Sequence, residues 1–525
     1  MALLERCWLT VKSVVRSLCL AQITTTNVSK YFRITLTRFT IAFFLFCFIH
    51  CFAEGFIQAF IFSQDFNANS AVVSILRQAK VPRNNFGTLY HGHGNASLDV
   101  CNMVSPNFHP CGTVFQKGNP NLTLPTMYNL TRIVVGLAYA NTLQSVNGSV
   151  HVELDDGTGV VLNQMCTLVS DTSEDASTSL LTVLKVLTYP HQVLANAQRE
   201  DVVLVLTQFW IFCVSFFAIM YDSIPHLVAA LCFRTLATGW SMYIIWRNED
   251  VRFRFELLLS SDDSPCRPLN IDKLFPGYFM SRQALQIPDL TLNIVALSLA
   301  VYLSIKLIKV YGPNTFNRVG APPHIVRIYK YFLAGFVSFQ VSALFLISVV
   351  CLWLDQMVNR DNAMSEFTKH KNLYIALSIF TLVILIPWIT TGWYAIHRER
   401  KRLMVAFLVV ASVVFASWVL MLKSWSFNWT FVNWPFFAVQ IIIATLSLIS
   451  TIGFGTVSYL HFGKGLSHYL YVEDVLAKSG FEPTLFEKDI EKAAVEDWRE
   501  IGLDDSIPTY TLSFSTSAPA ERDLN

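Results

Sequence analysis

The chain has 525 residues, and 39 Lys plus Arg against 37 Asp plus Glu leave a formal net charge of +2, which excludes the basic surface that a nucleic-acid binder needs. Only 14% of residues are charged and 53% are hydrophobic, so an ordinary water-soluble globule is also excluded. The composition is that of a polytopic membrane protein whose first partner is the lipid bilayer.

Because a helix rises 1.5 Å per residue, about 20 mostly apolar residues are needed to cross the hydrocarbon. Eight segments qualify: 39–62, 202–220, 224–246, 290–310, 331–354, 373–396, 403–422 and 434–460. The expected fold class is a polytopic α-helical membrane protein with eight transmembrane helices. It comprises a signal anchor plus a seven-helix bundle, with an α+β lumenal or extracellular domain between the first two helices.

Residues 1–38 form a basic cytosolic segment with Arg6, Lys12, Arg16, Lys30, Arg33 and Arg38, and Leu3, Leu4, Trp8, Val11, Val15 and Leu18 give it the spacing of an interfacial helix. The first span, 39–62, lacks a small-x-small cleavage site and reads as an uncleaved signal anchor. One face carries Cys47, His50, Cys51 and Glu54 at i, i+3, i+4 and i+7. All four are metal-ligand types, but no matching set stands on another span, so a polar stripe facing the bundle interior is expected and no metal.

Residues 63–201 form the expected outer domain, with sequons at Asn95, Asn121, Asn129 and Asn147. Val150, Val152 and Leu154, a turn at 155–159, then Val160 and Leu162 predict a β-hairpin, and 173–187 predict a helix that Tyr189-Pro190 ends. Cys101, Cys111, Cys166 and Cys266 fall in outer loops, an even number that allows two bridges, with Cys101–Cys111 favoured. His91-Gly92-His93-Gly94 reads as a flexible turn, because further metal ligands are not identified.

Residues 202–460 form the seven-helix membrane domain. Lys306, Lys309, Arg318, Arg327 and Lys330 surround the link between spans four and five, and Arg398, Arg400, Lys401 and Arg402 fill the link between six and seven. Basic residues concentrate on the cytosolic side, so both termini are expected there. Asn428, a fifth sequon, then falls outside with the other four. The stretch 247–289 runs against this rule, with six Lys or Arg in an outer loop. Ionisable groups inside a bilayer cost several kcal/mol unless paired, which singles out Glu54, His50 and Arg234, with Gln340 as a further polar candidate. Glu54 and Arg234 are placed to meet if the arginine reaches outward. Thr451-Ile452-Gly453-Phe454-Gly455 looks like a selectivity filter but sits within a continuous apolar span, where its glycines read as packing positions. Trp425, Trp429 and Trp434 read as an aromatic belt.

The tail, 461–525, holds 13 acidic and 6 basic residues and ends in a Ser/Thr-rich stretch that reads as disordered, a segment suited to recruiting a cytosolic partner. No HExxH, GxSxG or Walker loop is present, so neither an enzyme nor a cofactor is expected. Leu89-Tyr90-His91-Gly92-His93-Gly94, Tyr221-Asp222-Ser223-Ile224-Pro225-His226, the run FNRVGAPPHIVRIYKY at 316–331 and Phe462-Gly463-Lys464-Gly465-Leu466 carry a resemblance. The chain resembles a group of uncharacterised multi-pass membrane proteins of mushroom-forming (basidiomycete) fungi, which implies architecture and no catalytic residues.

A glycosylated outer domain, seven spans and a polar tail give the layout of a receptor or sensor in the plasma membrane or another secretory-pathway membrane, its ligand unnamed. The alternative is a transporter with an intramembrane polar site at Glu54, His50 and Arg234.

Overall fold

The computed structural model describes residues 38–78, 85–92, 95–101, 111–118, 145–146, 149–153, 159–163, 186–260, 271–316, 323–359, 368, 370–397 and 399–463. Outside them lie the N-terminal segment before Arg38, Asn121, Asn129, Asn147, Cys166, Cys266, His93, the predicted helix up to residue 185 and the tail after Gly463.

In chain order the elements are α1 (Arg38–Gln78), β1 (Phe86–Gly92), β2 (Asn95–Cys101), β3 (Cys111–Gln116), β4 (Ser145–Val146), β5 (Ser149–Glu153), β6 (Gly159–Asn163), α2 (Thr188–Met220), α3 (Ile224–Leu259), α4 (Ile271–Leu274), α5 (Tyr278–Phe316), α6 (Pro323–Val358), α7 (Lys371–His397), α8 (Lys401–Met421), α9 (Trp425–Asn433) and α10 (Pro435–His461). Eight of these helices are long and apolar enough to cross a membrane, and each predicted span falls on one of them to within a residue.

The first helices run well past their apolar segments. With 41 residues, α1 is about 60 Å long, roughly twice the hydrocarbon thickness. Residues 56–81 contain neither Gly nor Pro to stop it, and the buried Asp65, Val72 and Ile75 keep one face covered beyond the span. Residues 63–78 and 188–201, expected in the outer domain, are therefore continuations of α1 and α2. Pro190 sits in the first turn of α2, where its missing N–H costs nothing, so it begins this helix instead of ending the previous one.

Beyond the spans the helix ends share a core with a sheet of order β1-β2-β3. Leu98, Val100 and Phe115 of the sheet pack with Val72 and Ile75 of α1, Leu194 of α2, Phe255 of α3 and Phe279 of α5. A second antiparallel sheet sets Val150 opposite Leu162 and Val152 opposite Val160, the hairpin that the alternation predicts.

Consecutive spans alternate in direction. Asp65 lies beside Arg282, Glu54 beside Asn293, and Phe43 clusters with Leu303 and Leu307, so α1 and α5 are antiparallel. The basic ends thus gather together: Arg38, Lys306, Lys309, Arg327, Lys330, Arg400, Lys401 and Arg402 lie at one end of the bundle, with β1–β3 and Asn428 at the other.

The helices group as four plus four, not as an anchor plus seven. α1 packs extensively on α2 and α5, and these with α3 make one set; α6, α7, α8 and α10 make the other, joined to the first chiefly through α3 against α6. The reason is that α1 has a buried polar face that lipid cannot satisfy. Centrally placed α6 is buried all round, with every residue from 339 to 357 covered.

Close packing in the second set depends on Gly392 of α7. A Cβ there would lie 2.6 Å from Phe407 Cε2 and 3.2 Å from Phe339 Cζ. Phe407 is 1% exposed and stacked on Trp388 at 5.0 Å, so it has nowhere to move. Gly392→Ala is expected to cost about 1–3 kcal/mol through overpacking, read as a lowered thermal midpoint of the detergent-solubilised protein. The filter-like 451–455 lies inside α10, where its carbonyls serve the helix.

Candidate functional site

The buried face of α1 carries Cys47, His50, Cys51, Glu54, Gln58 and Asp65. From Cys47 to Asp65 is 18 residues of helix, a rise of about 27 Å, close to the hydrocarbon thickness. Facing it, α5 buries Arg282, Gln286, Asp289 and Asn293 at i, i+4, i+7 and i+11. The antiparallel register sets Asp65 against Arg282, Gln58 against Asp289 and Glu54 against Asn293. The result is a polar column inside the first four-helix set.

At its inner level Arg234 of α3 donates to His50 Nδ1 at 3.1 Å and to Cys47 Sγ at 3.4 Å, with its guanidinium 5.0 Å from the centre of the Phe46 ring. The expected meeting of Arg234 with Glu54 is not formed. Arg234 turns toward His50, one turn inward, and the Glu54 carboxyl is taken by α5.

At the middle level Asn293 Nδ2 donates to Glu54 Oε1 at 2.6 Å, and Gln58 Nε2 donates to Asp289 Oδ1 at 2.6 Å. The Glu54 and Asp289 carboxyl groups lie side by side, 1% and 3% exposed. Asn293 also reaches Ser241 Oγ of α3 at 3.3 Å.

At the outer level charges from five helices meet. Asp65 accepts from Tyr278 at 2.8 Å and pairs with Arg282 at 3.1 Å. Glu200 of α2 holds Arg247 of α3 at 2.6 Å and accepts from Trp434 Nε1, which precedes α10, at 2.7 Å. Arg199 pairs with Asp355 of α6 at 2.6 Å, and Asp201 is buried nearby with Oδ2 unpartnered among the described residues. These pairs account for much of the basic stretch 247–289, since Arg247, Arg252, Arg254 and Arg282 are all matched to acids.

Six buried carboxyl groups, those of Glu54, Asp65, Glu200, Asp201, Asp289 and Asp355, thus face four guanidiniums, those of Arg199, Arg234, Arg247 and Arg282. Three arginines are used on Asp65, Glu200 and Asp355, and Arg234 is used on His50 and Cys47. Among the described residues Glu54 and Asp289 are left without an arginine and Asp201 shares Arg247 and Arg282 with Glu200 and Asp65, and in a low-dielectric interior such a surplus is relieved by protons or by a bound cation.

Of the residues expected from sequence, His50, Glu54 and Arg234 belong to this column. Gln340 does not: it is buried in α6, and neither amide atom has a partner among the described residues. Asp289 was missed because it stood outside the apolar run at 290–310. Its signal was the polar spacing shared with Arg282, Gln286 and Asn293. Trp434 is no belt residue, being 2% exposed and bonded to Glu200.

Asn95 and Asn428 are exposed, and the β2–β3 register places Cys101 directly opposite Cys111. His91 is exposed with its ring 5.5 Å from that of Phe253, and no group of metal-ligating residues occurs among the described residues. No protein-family model, no curated protein and no solved structure matches the chain.

Proposed function

We propose that this multi-pass membrane protein carries a cation across the bilayer through the polar column of its first four helices. The observation that supports this reading is the carboxyl surplus at the middle and outer levels of a polar column that follows α1 for about 27 Å. A network of matched ion pairs would give each buried acid its own base, whereas among the described residues Glu54 and Asp289 have no arginine and Asp201 shares Arg247 and Arg282 with Glu200 and Asp65. Purified full-length protein in liposomes is expected to pass cations, and Glu54→Gln, which removes the charge while keeping the shape, is expected to abolish the flux with the protein still folded. Undiminished flux in that variant would remove the column from the mechanism.

A receptor or sensor is the second reading, favoured by one contact set. Phe86 of β1 packs on Trp425 and Trp429 of α9, and Trp429 Nε1 donates to Thr88 at 3.3 Å, while Gly87 lies against Tyr189 of α2. The sheet thereby touches α2 of the first set and α9, which links α8 to α10 of the second, so a ligand held on it would bias their packing. A ligand response that survives Glu54→Gln favours this reading over transport.

We further propose that the basic end is cytosolic, with both termini there. Asn95, Asn121, Asn129, Asn147 and Asn428 would then be glycosylated on the lumenal or extracellular side, with Cys101 and Cys111 joined by a disulfide. Clustering of the basic residues at one end supports the orientation, and the register opposite Cys111 supports the bridge. Endoglycosidase treatment is expected to increase the gel mobility of the protein, a shift that shrinks when the four Asn sites of 63–201 are changed together and is lost when Asn428 is changed as well.

A further inference from the structure

Between the arginines of the column lies a level that holds two acids and no base. Glu54 and Asp289 sit side by side there, each with one oxygen bonded by an amide, from Asn293 and Gln58 respectively. Arg234 is committed one turn inward to His50 and Cys47, and Arg282 outward to Asp65 and Tyr278. Two buried oxygens of the column lack a donor. Glu54 Oε2 is buried with no hydrogen-bond partner among the described residues. Gln286 is 2% exposed, lies one turn from Asp289 on the same buried face of α5, and has an Oε1 carbonyl that likewise lacks a donor.

A metal cation fits this level poorly. Sodium or a divalent ion needs a shell of oxygens, which membrane proteins commonly complete with carbonyls from an unwound helix. Here α1 and α5 are helical through the site, and Pro288, which has no N–H, releases only the Ala284 carbonyl of α5 from the ladder, too few oxygens for such a shell. The amide N–H groups of Asn293 and Gln58 also occupy one oxygen of each carboxyl group. What the arrangement accepts is an O–H donor between two acceptors.

We infer that the ligand of this site is a proton shared between the Glu54 and Asp289 carboxyl groups, an assignment that rests on the transport reading above and names its ion. On binding, one carboxylate oxygen forms an O–H bond and the other group accepts its hydrogen bond. On release the O–H bond breaks, its electron pair stays on the carboxylate, and the proton passes to the next acceptor. The groups facing Glu54 are His50 and Cys51 on α1, Asp289 on α5, and Arg234 with Ser241 on α3. On α2 the register that sets Phe52 against Phe209 brings Thr207 and Gln208, neither titratable, and the Cys213 thiol lies inward of them beside Cys51.

The test uses the full chain in liposomes loaded with a pH-sensitive dye, with a potassium diffusion potential and no sodium, paired with infrared spectra of the same protein in detergent. Wild type is expected to acidify the lumen and to show a protonated-carboxyl C=O band at neutral pH. Glu54→Gln and Asp289→Asn are each expected to lose the acidification and the part of the acid band that this pair contributes. Ion movement that requires sodium, with no dye response and no acid band, overturns the proton assignment and leaves cation transport standing. An acid band reduced in both variants, with no ion moved by wild type, upholds the shared proton and overturns transport. The absence of any acid band in wild type overturns the assignment whatever the flux.

Discussion

Glu200→Ala is expected to lower stability by about 3–5 kcal/mol, the cost of removing one partner from a buried ion pair. Glu200 is 3% exposed and holds Arg247 through both carboxylate oxygens, at 3.0 and 2.6 Å, while accepting the Trp434 indole N–H at 2.7 Å. Truncation strands a guanidinium whose side chain is 13% exposed and an indole donor that is 2% exposed. It also cuts a tie between α2 and α3 in the first set and the start of α10 in the second. Glu200→Gln keeps an acceptor for Trp434 and is expected to fall between wild type and alanine. The contrast is Arg252–Glu256, an i,i+4 pair with both side chains 41% exposed, whose loss in Arg252→Ala is expected to cost under about 0.5 kcal/mol. Thermal midpoints measured in one detergent decide the matter, and equal shifts for Glu200→Ala and Arg252→Ala would refute a structural role for the outer charge cluster.

The second large effect is expected at Arg282. Asp65 has no exposed surface and is neutralised by Arg282 at 3.1 Å, with Tyr278 donating to its other oxygen at 2.8 Å and receiving Arg282 Nη1 at 3.0 Å. Arg282→Met leaves Asp65 uncompensated near Glu200 and Asp201, again at a cost of about 3–5 kcal/mol. Asp65→Asn in the same protein removes the stranded charge, so the double variant is expected to regain most of the loss. A coupling of about 1–3 kcal/mol in the double-mutant cycle would measure that recovery. Losses that simply add would mean that the two side chains act independently.

Span number and position were legible in the sequence because they depend on local properties. A run of apolar residues long enough to cross hydrocarbon declares itself wherever it packs. The polar face of α1 was equally visible, since Cys47, His50, Cys51 and Glu54 recur at helical spacing. Helix ends were less legible. The apolar pattern stops near residue 62, yet α1 continues to Gln78 because Asp65, Val72 and Ile75 find a core supplied by α5, α2 and the sheet.

The partners of the polar residues were not legible at all. Glu54 was expected beside Arg234, both being intramembrane charges, but it is held by Asn293, 239 positions away in sequence. That choice follows from the antiparallel register of α1 and α5, which aligns Gln58 with Asp289 and Asp65 with Arg282 in the same stroke. Asp289 and Arg282 looked like loop residues because their value lies in what they face.

By itself, then, the sequence determined that this chain crosses a membrane on eight apolar helices, that the first of them has a polar face, and where basic residues accumulate. These follow from transfer free energies and helical periodicity, both properties of a segment alone. Tertiary structure alone decided that the helices divide four and four, that α1 is a full member of the first set, and that Glu54 and Asp289 share a level without an arginine. Buried charges take their partners from whatever the packing brings within about 3 Å, and packing is settled between helices hundreds of residues apart.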